Sequence, residues 1–501
     1  MSVLLKTHDE SVKLPPVLRF TIYTLLFLLS AALAELILSV STSPLYSDYC
    51  RDSAMFQTIG KYWVEGYLPY VDLFDHKGPL IFFINALGYA LGGKNGLFAL
   101  QVVFFAGAEY AAYRLLRCRL SRIASLVLAL LLPFFLMPVW EEGNLIEEYS
   151  LLPLFVAFYC MYRWGIGLEH FEYVHPPRYA FAYGLFFAFS FLTRLSDALP
   201  VCVAAVFIAV VLIVKQRKLE RERESNLICN ILAFFLGTAA LVVPFVIYFA
   251  AHGALFDMWY GTVLFNLSYT NTSHTMITSL YDLLAALRRC FFGWCLVAIS
   301  AAALIVGWKP RLAYWFYLAV ALTNTLFLHT LYPYNHYGML LVPCFYISIC
   351  ELCTFSASPK RGKAARILAV CMLSVAVVSS GAKFFREHIQ TPEPYETYIE
   401  DYRSLIKLIP EDGRKSFVAF DCPRRLYLNE DIRPAFRFFV LQRWMIDNNP
   451  SFAATLRNEF SESGIEWVLT MEYPPVQDIL DAEYDLIART PYGLYSLYHL
   501  K

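Results

Sequence analysis

Long apolar runs recur along most of this sequence, and they constrain the fold more than any other feature. About eleven runs approach spanning length, near residues 20–41, 96–116, 122–139, 147–163, 180–196, 198–214, 228–250, 291–308, 312–330, 337–354 and 366–382. Only 16% of the residues are charged, whereas a soluble domain carries roughly 25%. Because a helix satisfies its own backbone polar groups in lipid, such runs predict a bundle of membrane-spanning helices.

The apolar stretch from Gly78 to Gly93 decides the predicted topology. Its helical part, about 14 residues, rises only ~21 Å, which is less than a hydrocarbon core of ~30 Å. Cytoplasmic loops are rich in Lys and Arg. The basic loops lie at 114–122, 163–178, 215–223, 309–311 and 360–366. They share the side of the N-terminus only if 78–93 does not cross, so we expect an interfacial or re-entrant helix and a cytoplasmic N-terminus.

This topology places the remaining loops on the opposite, outward face. They are the loops at 42–95, 140–147, 194–198, 251–290 and 331–337, together with everything after about residue 383.

The first apolar run, residues 20–41, is not followed by a clear cleavage site, so we expect a retained first span rather than a cleaved signal.

The last part of the chain changes character. Charge density rises after residue 382, and short apolar stretches appear at Ser416–Phe420, Glu466–Thr470 and Leu494–Tyr498. Helix-like pieces such as Pro394–Leu408 and Pro434–Ile446 lie between them, which predicts a small α/β domain. The predicted fold is an all-α polytopic membrane bundle of about 11 transmembrane helices (residues 1–382), with interfacial helices in the first outward loop, followed by a soluble extracytoplasmic α/β domain (383–501).

The first outward loop holds the densest group of ionisable residues. They are Asp48, Asp52, Asp72, Asp75, His76 and Lys77. A carboxylate partly desolvated at a membrane surface favours general-base behaviour, and a nearby Lys and His could neutralise a phosphate. The alternative is a solvated loop that turns at Lys77-Gly78-Pro79.

Other outward loops contribute further candidates. Asn144, Glu147 and Glu148 lie between two predicted spans, although acids at a helix N-terminus are also favoured by the helix dipole. An ionisable residue at membrane depth such as Arg194 is a functional candidate, with an Arg194–Asp197 pair that caps a hairpin as the alternative. An aromatic belt accounts for the tyrosines beside His336, but it does not account for His336 itself.

Several classes of function lack their sequence signals. There is no Gly-rich phosphate loop, no G-x-G-x-x-G after a strand, and no D-x-D in the outward loops. An enzyme here would therefore need a donor that arrives through the membrane, and a lipid-linked substrate fits a polar site at the bilayer surface. The twelve cysteines are scattered, mostly in apolar runs, and predict neither a disulfide framework nor a metal site.

Four short motifs make the sequence resemble the C-type integral-membrane glycosyltransferases, in particular the bacterial relatives of protein O-mannosyltransferases and of the lipid A aminoarabinose transferase. Asp52-Ser53-Ala54-x-Phe56 is similar to the family's Asp-Glu/Ala-aromatic segment, and Asp75-His76-Lys77-Gly78-Pro79-Leu80 to its Asp-His-Pro-Pro-Leu or His-Lys-Gly-Pro element. Leu192-Thr193-Arg194 followed by Pro200, and Gly143-Asn144-Leu145-x-Glu147-Glu148-Tyr149, resemble segments of some members. The likeness covers most of residues 1–355.

The resemblance implies an inverting sugar transfer from a polyprenyl-phosphate donor at the outward face of a bacterial inner membrane. It implies that Asp52 is the general base, with Asp48 as second choice. It assigns Lys77, His76 and Arg194 to the donor phosphate, and Asp75, Asn144, Glu147, Glu148 and His336 to the sugar or the acceptor. No cofactor or tightly bound metal is expected, although outward carboxylates could hold a divalent cation, and no nucleic acid partner is expected.

One departure from the family pattern concerns the acceptor. Protein O-mannosyltransferases carry an Asp-Glu pair where this chain has Asp52-Ser53, so a glycan or glycolipid acceptor is favoured over a protein. Two other functions remain as alternatives. A flippase of lipid-linked sugars would be expected to show inverted repeats and midplane charges, and a lipid-diphosphate-dependent polymerase or ligase a large outward loop late in the chain.

Overall fold

The computed structural model describes residues 15–46, 51–219, 226–269, 279–308, 311–330, 334–358, 362–388, 401–440, 446, 449–471 and 475–501. In these residues the chain is mostly helical. The helices up to residue 388 are α1 Pro16–Leu38, α2 Arg51–Val64, α3 Pro79–Gly92, α4 Lys94–Leu116, α5 Arg122–Leu130, α6 Leu132–Leu136, α7 Ile146–Glu169, α8 Pro177–Phe191, α9 Leu199–Leu219, α10 Leu227–Ala251, α11 Leu255–Trp259, α12 Phe265–Tyr269, α13 Leu280–Arg289, α14 Phe291–Ile305, α15 Arg311–Thr330, α16 Val342–Ser356 and α17 Gly362–His388.

The rest of the chain alternates helices and strands. Its elements are α18 Tyr402–Ile406, β1 Phe417–Phe420, α19 Leu426–Asn429, α20 Pro450–Glu462, β2 Trp467–Met471, α21 Gln477–Glu483, β3 Tyr484–Arg489 and β4 Tyr495–Leu500. Short 3-10 turns lie at Met137–Val139, Leu195–Ala198, Asn335–Leu341 and Gly413–Ser416, and a π-helical turn lies at Tyr260–Leu264.

Apolar helices of spanning length dominate the described residues. Eight segments are long and apolar enough to cross a membrane, namely Pro16–Leu38, Lys94–Leu116, Ile146–Glu169, Leu195–Val214, Leu227–Ala251, Arg311–His329, Asn335–Ser356 and Gly362–Phe385. Two bent pairs, Arg122–Leu130 with Leu132–Val139 and Leu280–Arg289 with Phe291–Ile305, raise the number to 10 if each pair is one span. The predicted class of fold, a bundle of apolar helices of spanning length, is therefore confirmed, whereas the predicted count of 11 is not confirmed.

The difference in count has local causes. The predicted run 180–196 becomes α8, whose 15 residues rise about 22 Å, because the polar Thr193 and Arg194 follow its end. The predicted run 122–139 is bent by 46° where Pro133, which has no amide hydrogen to donate, begins a new helical turn. In both runs the straight helical part is therefore shorter than the continuous apolar stretch in the sequence.

The described chain forms two compact units, each assembled from separated stretches. Unit 1 comprises Met1–Ser39, Ala99–Pro244 and His274–Gln390, and unit 2 comprises Val40–Phe98, Phe245–Ser273 and Thr391–Lys501. Unit 1 has a large apolar core between its helices, with Phe155, Phe345 and Tyr346 fully buried. Unit 2 has a separate aromatic core built around Phe74 and Phe438. Residues distant in sequence therefore share a core within each unit.

In unit 2, α2 packs directly against α3. Gly60 allows this approach, because a Cβ atom there would lie 2.5 Å from Asn85 Cβ and 2.7 Å from the Ala86 amide nitrogen. Helix α3 has 14 residues, as the sequence predicts for 78–93. Gly92 and Gly93 have φ angles of 147° and 64° and turn the chain into α4. The interfacial or re-entrant position of α3 stays a prediction.

The C-terminal residues of unit 2 form a four-stranded sheet with the order β1-β2-β4-β3. β1 pairs in parallel with β2, with Val418 opposite Val468, and β4 pairs antiparallel with both β2 and β3. β1, β2 and β4 coincide with the three predicted apolar stretches. β3 was not predicted, because most of its residues are exposed and it lacks an apolar pattern.

The helix predicted at Pro434–Ile446 is wrong over residues 434–440. Residues 434–440 form turns and bends, and residues 441–445 lie outside the described chain. The reason is tertiary: Phe436 and Phe438 are buried in the unit 2 core, and the Arg437 carbonyl accepts a hydrogen bond from the Phe74 amide at 2.9 Å. The α18 helix covers the described end of the predicted Pro394–Leu408 piece, and residues 389–400 are not described.

Candidate active site

Asp52, the predicted base, lies in the first turn of α2 in unit 2. Its Oδ1 atom is paired with Arg424 Nη1, from the segment that follows β1. The Asp52 side chain is 40% exposed and that of Arg424 19%, so the carboxylate remains accessible to molecules outside the fold. Asp48, the second choice, lies outside the described residues.

Asp75, His76 and Lys77 form a linked series in the loop between α2 and α3. Asp75 Oδ1 accepts a hydrogen bond from the Lys77 amide at 2.9 Å, and Asp75 Oδ2 lies 3.4 Å from His76 Nδ1. On the other side of the ring, His76 Nε2 lies 2.6 Å from Lys77 Nζ. Asp75 and His76 are buried, so the contact with the buried His76 ring restricts the position of the Lys77 ammonium.

The protonation of this series follows from its surroundings. Burial lowers the pKa of His76, and the adjacent Lys77 ammonium lowers it further, against the opposing effect of Asp75. In a neutral imidazole, Nε2 accepts from the Lys77 ammonium, and the hydrogen on Nδ1 lies on the side of the ring that faces Asp75. For Asp75, burial by itself raises the pKa, but His76 and Lys77 outweigh burial and lower it below its ordinary value.

Lys77 lies immediately before the N-terminus of α3. Gly78 is the N-cap residue, Pro79 begins the helix, and no side chain caps the first turn. The N-terminal amide groups of a helix carry partial positive charge and favour anions. The ammonium and the helix end together make this position suited to a phosphate.

Tyr70 and two residues of the α11–α12 region, Gly261 and Asn266, support the loop that carries Lys77. The sequence analysis did not single them out. Asn266 Nδ2 donates to the His76 carbonyl at 2.7 Å. Tyr70 has a φ angle of 72°, and its hydroxyl donates to the Lys77 carbonyl at 2.7 Å. A Cβ atom at Gly261, within the π-helical turn, would lie 2.5 Å from the Tyr70 ring. No local signal in the sequence connects these residues with Lys77.

A second cluster lies in unit 1, around Arg194. The guanidinium Nη1 lies 2.6 Å from Glu147 Oε1, and Nε lies 2.7 Å from Asp197 Oδ1. The Tyr337 ring covers the guanidinium, with its centroid 4.0 Å from Cζ. The Arg194–Asp197 pair anticipated as the structural alternative is present, and Glu147 joins it, so two carboxylates match the arginine charge.

His336 extends this unit 1 cluster. Its Nδ1 lies 2.6 Å from Glu141 Oε2 and its Nε2 lies 3.8 Å from Glu147 Oε1. Tyr334 stacks on the imidazole at a centroid distance of 5.5 Å. Burial raises the pKa of Glu141, but the hydrogen bond and the charge of His336 lower it below the usual value. His336 is therefore part of an ion-paired network rather than an aromatic belt alone.

Glu148 and Asn144 belong to a different network in unit 1. Glu148 Oε1 accepts from Gln101 Nε2 at 2.6 Å, and Oε2 accepts from the Asn144 amide at 2.8 Å. The Asn144 side chain accepts from the Tyr149 hydroxyl at 2.8 Å. These bonds secure the start of α7, so Glu147 and Glu148 point into separate networks although they are adjacent in sequence.

No group of three or more His, Cys, Asp or Glu side chains in the described part of the chain could hold a metal ion.

The candidate residues fall into two clusters. The first-loop cluster in unit 2 comprises Asp52, Asp75, His76 and Lys77, and the Arg194 cluster in unit 1 comprises Glu141, Glu147, Arg194, Asp197 and His336.

Two solved structures resemble this chain over most of its length. The oligosaccharyltransferase AglB from Archaeoglobus fulgidus, in complex with an inhibitory peptide and a dolichol-phosphate, aligns with a TM-score of 0.52 and 12% identity, covering 96% of this chain and 74% of that chain. ArnT from Cupriavidus metallidurans, bound to undecaprenyl phosphate, aligns with a TM-score of 0.53 and 12% identity, covering 97% and 98%.

At this identity the likeness is one of fold. This chain has the fold of AglB and ArnT, in line with the resemblance that the sequence motifs carry. No family model and no curated protein matches the sequence.

The linked series makes a prediction about stability and pH. Asp75→Asn should lower the apparent melting temperature of the purified protein at pH 7, because the Lys77 amide loses a charged acceptor and the Lys77 ammonium loses a neighbouring negative charge. The pKa of Asp75 is lowered in the folded protein, so its contribution is complete above the unfolded value of about 3.9 and is lost as pH falls below it. The difference from wild type should therefore shrink below about pH 4.

Thermal unfolding from pH 7 to pH 3 measures this difference. Asp72→Asn is the matched control. Asp72 lies in the same loop, but it is exposed, and its carboxylate accepts a hydrogen bond from the Leu68 amide. A difference for Asp75→Asn that is the same at both ends of the pH range would contradict the assignment.

Proposed function

We propose that this protein transfers a sugar from a polyprenyl-phosphate-linked donor to an acceptor hydroxyl, with inversion at the anomeric carbon. One observation carries the proposal: unit 2 holds a half-exposed carboxylate, Asp52, together with a lysine at an uncapped helix N-terminus, Lys77. The fold supports it, because AglB and ArnT, which share it, were solved with dolichol-phosphate and undecaprenyl phosphate.

In the proposed reaction Asp52 takes the proton from the acceptor hydroxyl. The hydroxyl oxygen forms a bond to the anomeric carbon while the bond from that carbon to the phosphate oxygen breaks on the opposite face. The lipid phosphate leaves with increased negative charge, and groups aimed at developing charge contribute most to such a step. Lys77 and the N-terminus of α3 would stabilise that charge, and His76 would hold the lysine in place.

The structure refines how we divide the roles among the other candidates. Arg194 was expected to bind the donor phosphate, but Glu147 and Asp197 already match its charge, so we propose Lys77 as the principal phosphate ligand and Arg194 as a secondary one. For Glu147 and His336 we propose contacts with sugar or acceptor hydroxyls, which carboxylates and imidazoles bind well. Asp75, Asn144 and Glu148 stay candidates for the same role, within the networks that hold them.

We propose a glycan or glycolipid as the acceptor, in preference to a protein, from the Asp52-Ser53 sequence. The proposal requires membrane lipid as the medium of the donor, and it requires neither nucleic acid nor a cofactor. We further propose that the protein lies in a bacterial inner membrane, with a transmembrane domain (1–382) and an outward α/β domain (383–501).

Asp52→Asn should lose nearly all transfer activity while the protein still folds, because an amide cannot take the proton from the acceptor hydroxyl. The loss of a general base costs about 10²–10⁴-fold in rate. Purified protein would be assayed with a panel of polyprenyl-phosphate sugars and glycan acceptors, with Asp72→Asn as the loop control and gel filtration to check folding. Full activity in Asp52→Asn would rule out this base.

Lys77→Ala should slow transfer by about 10²-fold or more, as when one charge-stabilising group is removed from an active site. It should also raise the apparent KM for the donor. Lys77→Arg, which retains the charge but not the shape of the ammonium, should keep part of the activity. Steady-state kinetics with varied donor concentration measures both effects, and an unchanged kcat and donor KM in Lys77→Ala would remove this residue from the phosphate site.

The proposed topology has its own test. A reporter enzyme that works only outside the cytoplasm, fused after residue 390, should be active if the C-terminal region is outward. The charge distribution motivates this expectation. An inactive fusion of this reporter, together with an active fusion of a second reporter that works only in the cytoplasm, would overturn the topology and with it the outward site.

A further inference from the structure

The contact between Asp52 and Arg424 joins residues 372 positions apart in the sequence. Arg424 lies just beyond the carboxyl end of β1, after Asp421, whose φ angle of 55° turns the chain out of the strand. The segment that follows β1 thus places the Arg424 guanidinium beside the Asp52 carboxylate, which we propose as the base. Both residues belong to unit 2.

The stretch that begins with Arg424 is attached to the first outward loop at further points. Residues 424–438 form what we call the clasp segment. Within it, Asp431 pairs with Lys61 of α2, and the Arg433 guanidinium lies 4.9 Å from the centre of the Tyr67 ring. These contacts hold the clasp segment against α2 and the turn that follows it.

An aromatic contact completes the attachment. The Phe74 amide donates to the Arg437 carbonyl at 2.9 Å, and the rings of Phe74 and Phe438 lie 5.3 Å apart in a T-shaped arrangement. Both rings are buried. The clasp segment therefore does not depend on Arg424 for its position, because apolar burial and other pairs already hold it.

Arg424 consequently acts on Asp52 more than on the fold. A partly exposed ion pair adds little to folding stability. The same pair restricts the rotamers of the carboxylate, and an adjacent cation also keeps a carboxylate ionised to lower pH. Those two effects, orientation and ionisation, are what a general base requires.

We propose that Arg424 is a positioning residue for the base Asp52, so that the C-terminal region completes the active site instead of serving as a separate cap. This inference rests on the proposed function of Asp52. It assigns Arg424 no contact with the substrate. Its effect is on the rate of the chemical step and on the pH dependence of that step.

The test compares Arg424→Ala, Arg424→Lys and Arg433→Ala in the full-length protein. In Arg424→Ala, kcat should fall by about 10²-fold, as for a misplaced catalytic group, with little change in donor KM. The acid limb of its kcat–pH profile should move to higher pH, because a carboxylate that loses a neighbouring cation is protonated more readily. Arg424→Lys should keep the acid limb near that of wild type and recover part of kcat.

Arg433→Ala is the matched control, since it removes another arginine of the clasp segment that contacts Tyr67 and not Asp52. It should retain the wild-type pH profile and most of the rate. Equal losses in Arg433→Ala and Arg424→Ala, with no shift of the acid limb, would show that Arg424 only attaches the segment and would overturn the proposal. If Arg424→Ala does not fold, Arg424→Gln replaces it in the comparison with Arg424→Lys, and identical pH profiles for these two overturn the proposal equally.

Asp52→Asn, measured alongside, separates this inference from the function on which it rests. An inactive Asp52→Asn with a normal Arg424→Ala contradicts the positioning role alone. An active Asp52→Asn, or a wild-type protein that uses no donor in the panel, contradicts the proposed function and therefore both.

Discussion

Burying a charge among apolar helices is costly unless an opposite charge or a hydrogen-bond partner lies beside it, and this constraint organises both candidate clusters. In unit 1, Arg194 lies between the carboxylates of Glu147 and Asp197. In unit 2, His76 lies between Asp75 and Lys77. In both clusters, each buried charge therefore lies beside an oppositely charged or hydrogen-bonding side chain.

The same constraint separates the two clusters chemically. Two carboxylates flank Arg194, whereas the Lys77 side chain contacts the His76 ring, with the Asp75 carboxylate on the other side of that ring. Lys77 also lies next to the N-terminus of α3, whose amide groups favour an anion. For this reason we propose the loop before α3, rather than the Arg194 cluster, as the place of the leaving phosphate.

How far prediction succeeded depends on whether a feature is local. The apolar runs located the helices, and three apolar stretches located β1, β2 and β4, because length and pattern depend on neighbouring residues. The exposed strand β3 was missed. The bend at Pro133 and the short α8 reduced the number of straight spans below the predicted count. The stretch 434–440, predicted as helical, is irregular because its aromatic side chains and the Arg437 carbonyl serve contacts with Phe74.

The sequence by itself determined that this chain is built from long apolar helices, and it singled out Asp52, the 75–77 series and Arg194 by residue type and position. Only the tertiary structure decided their partners. Arg424 meets Asp52 across 372 positions, and Asn266 donates to the His76 carbonyl across 190. The physical reason is that side-chain pairing depends on distances that chain folding creates, whereas helix length and apolar periodicity are properties of consecutive residues.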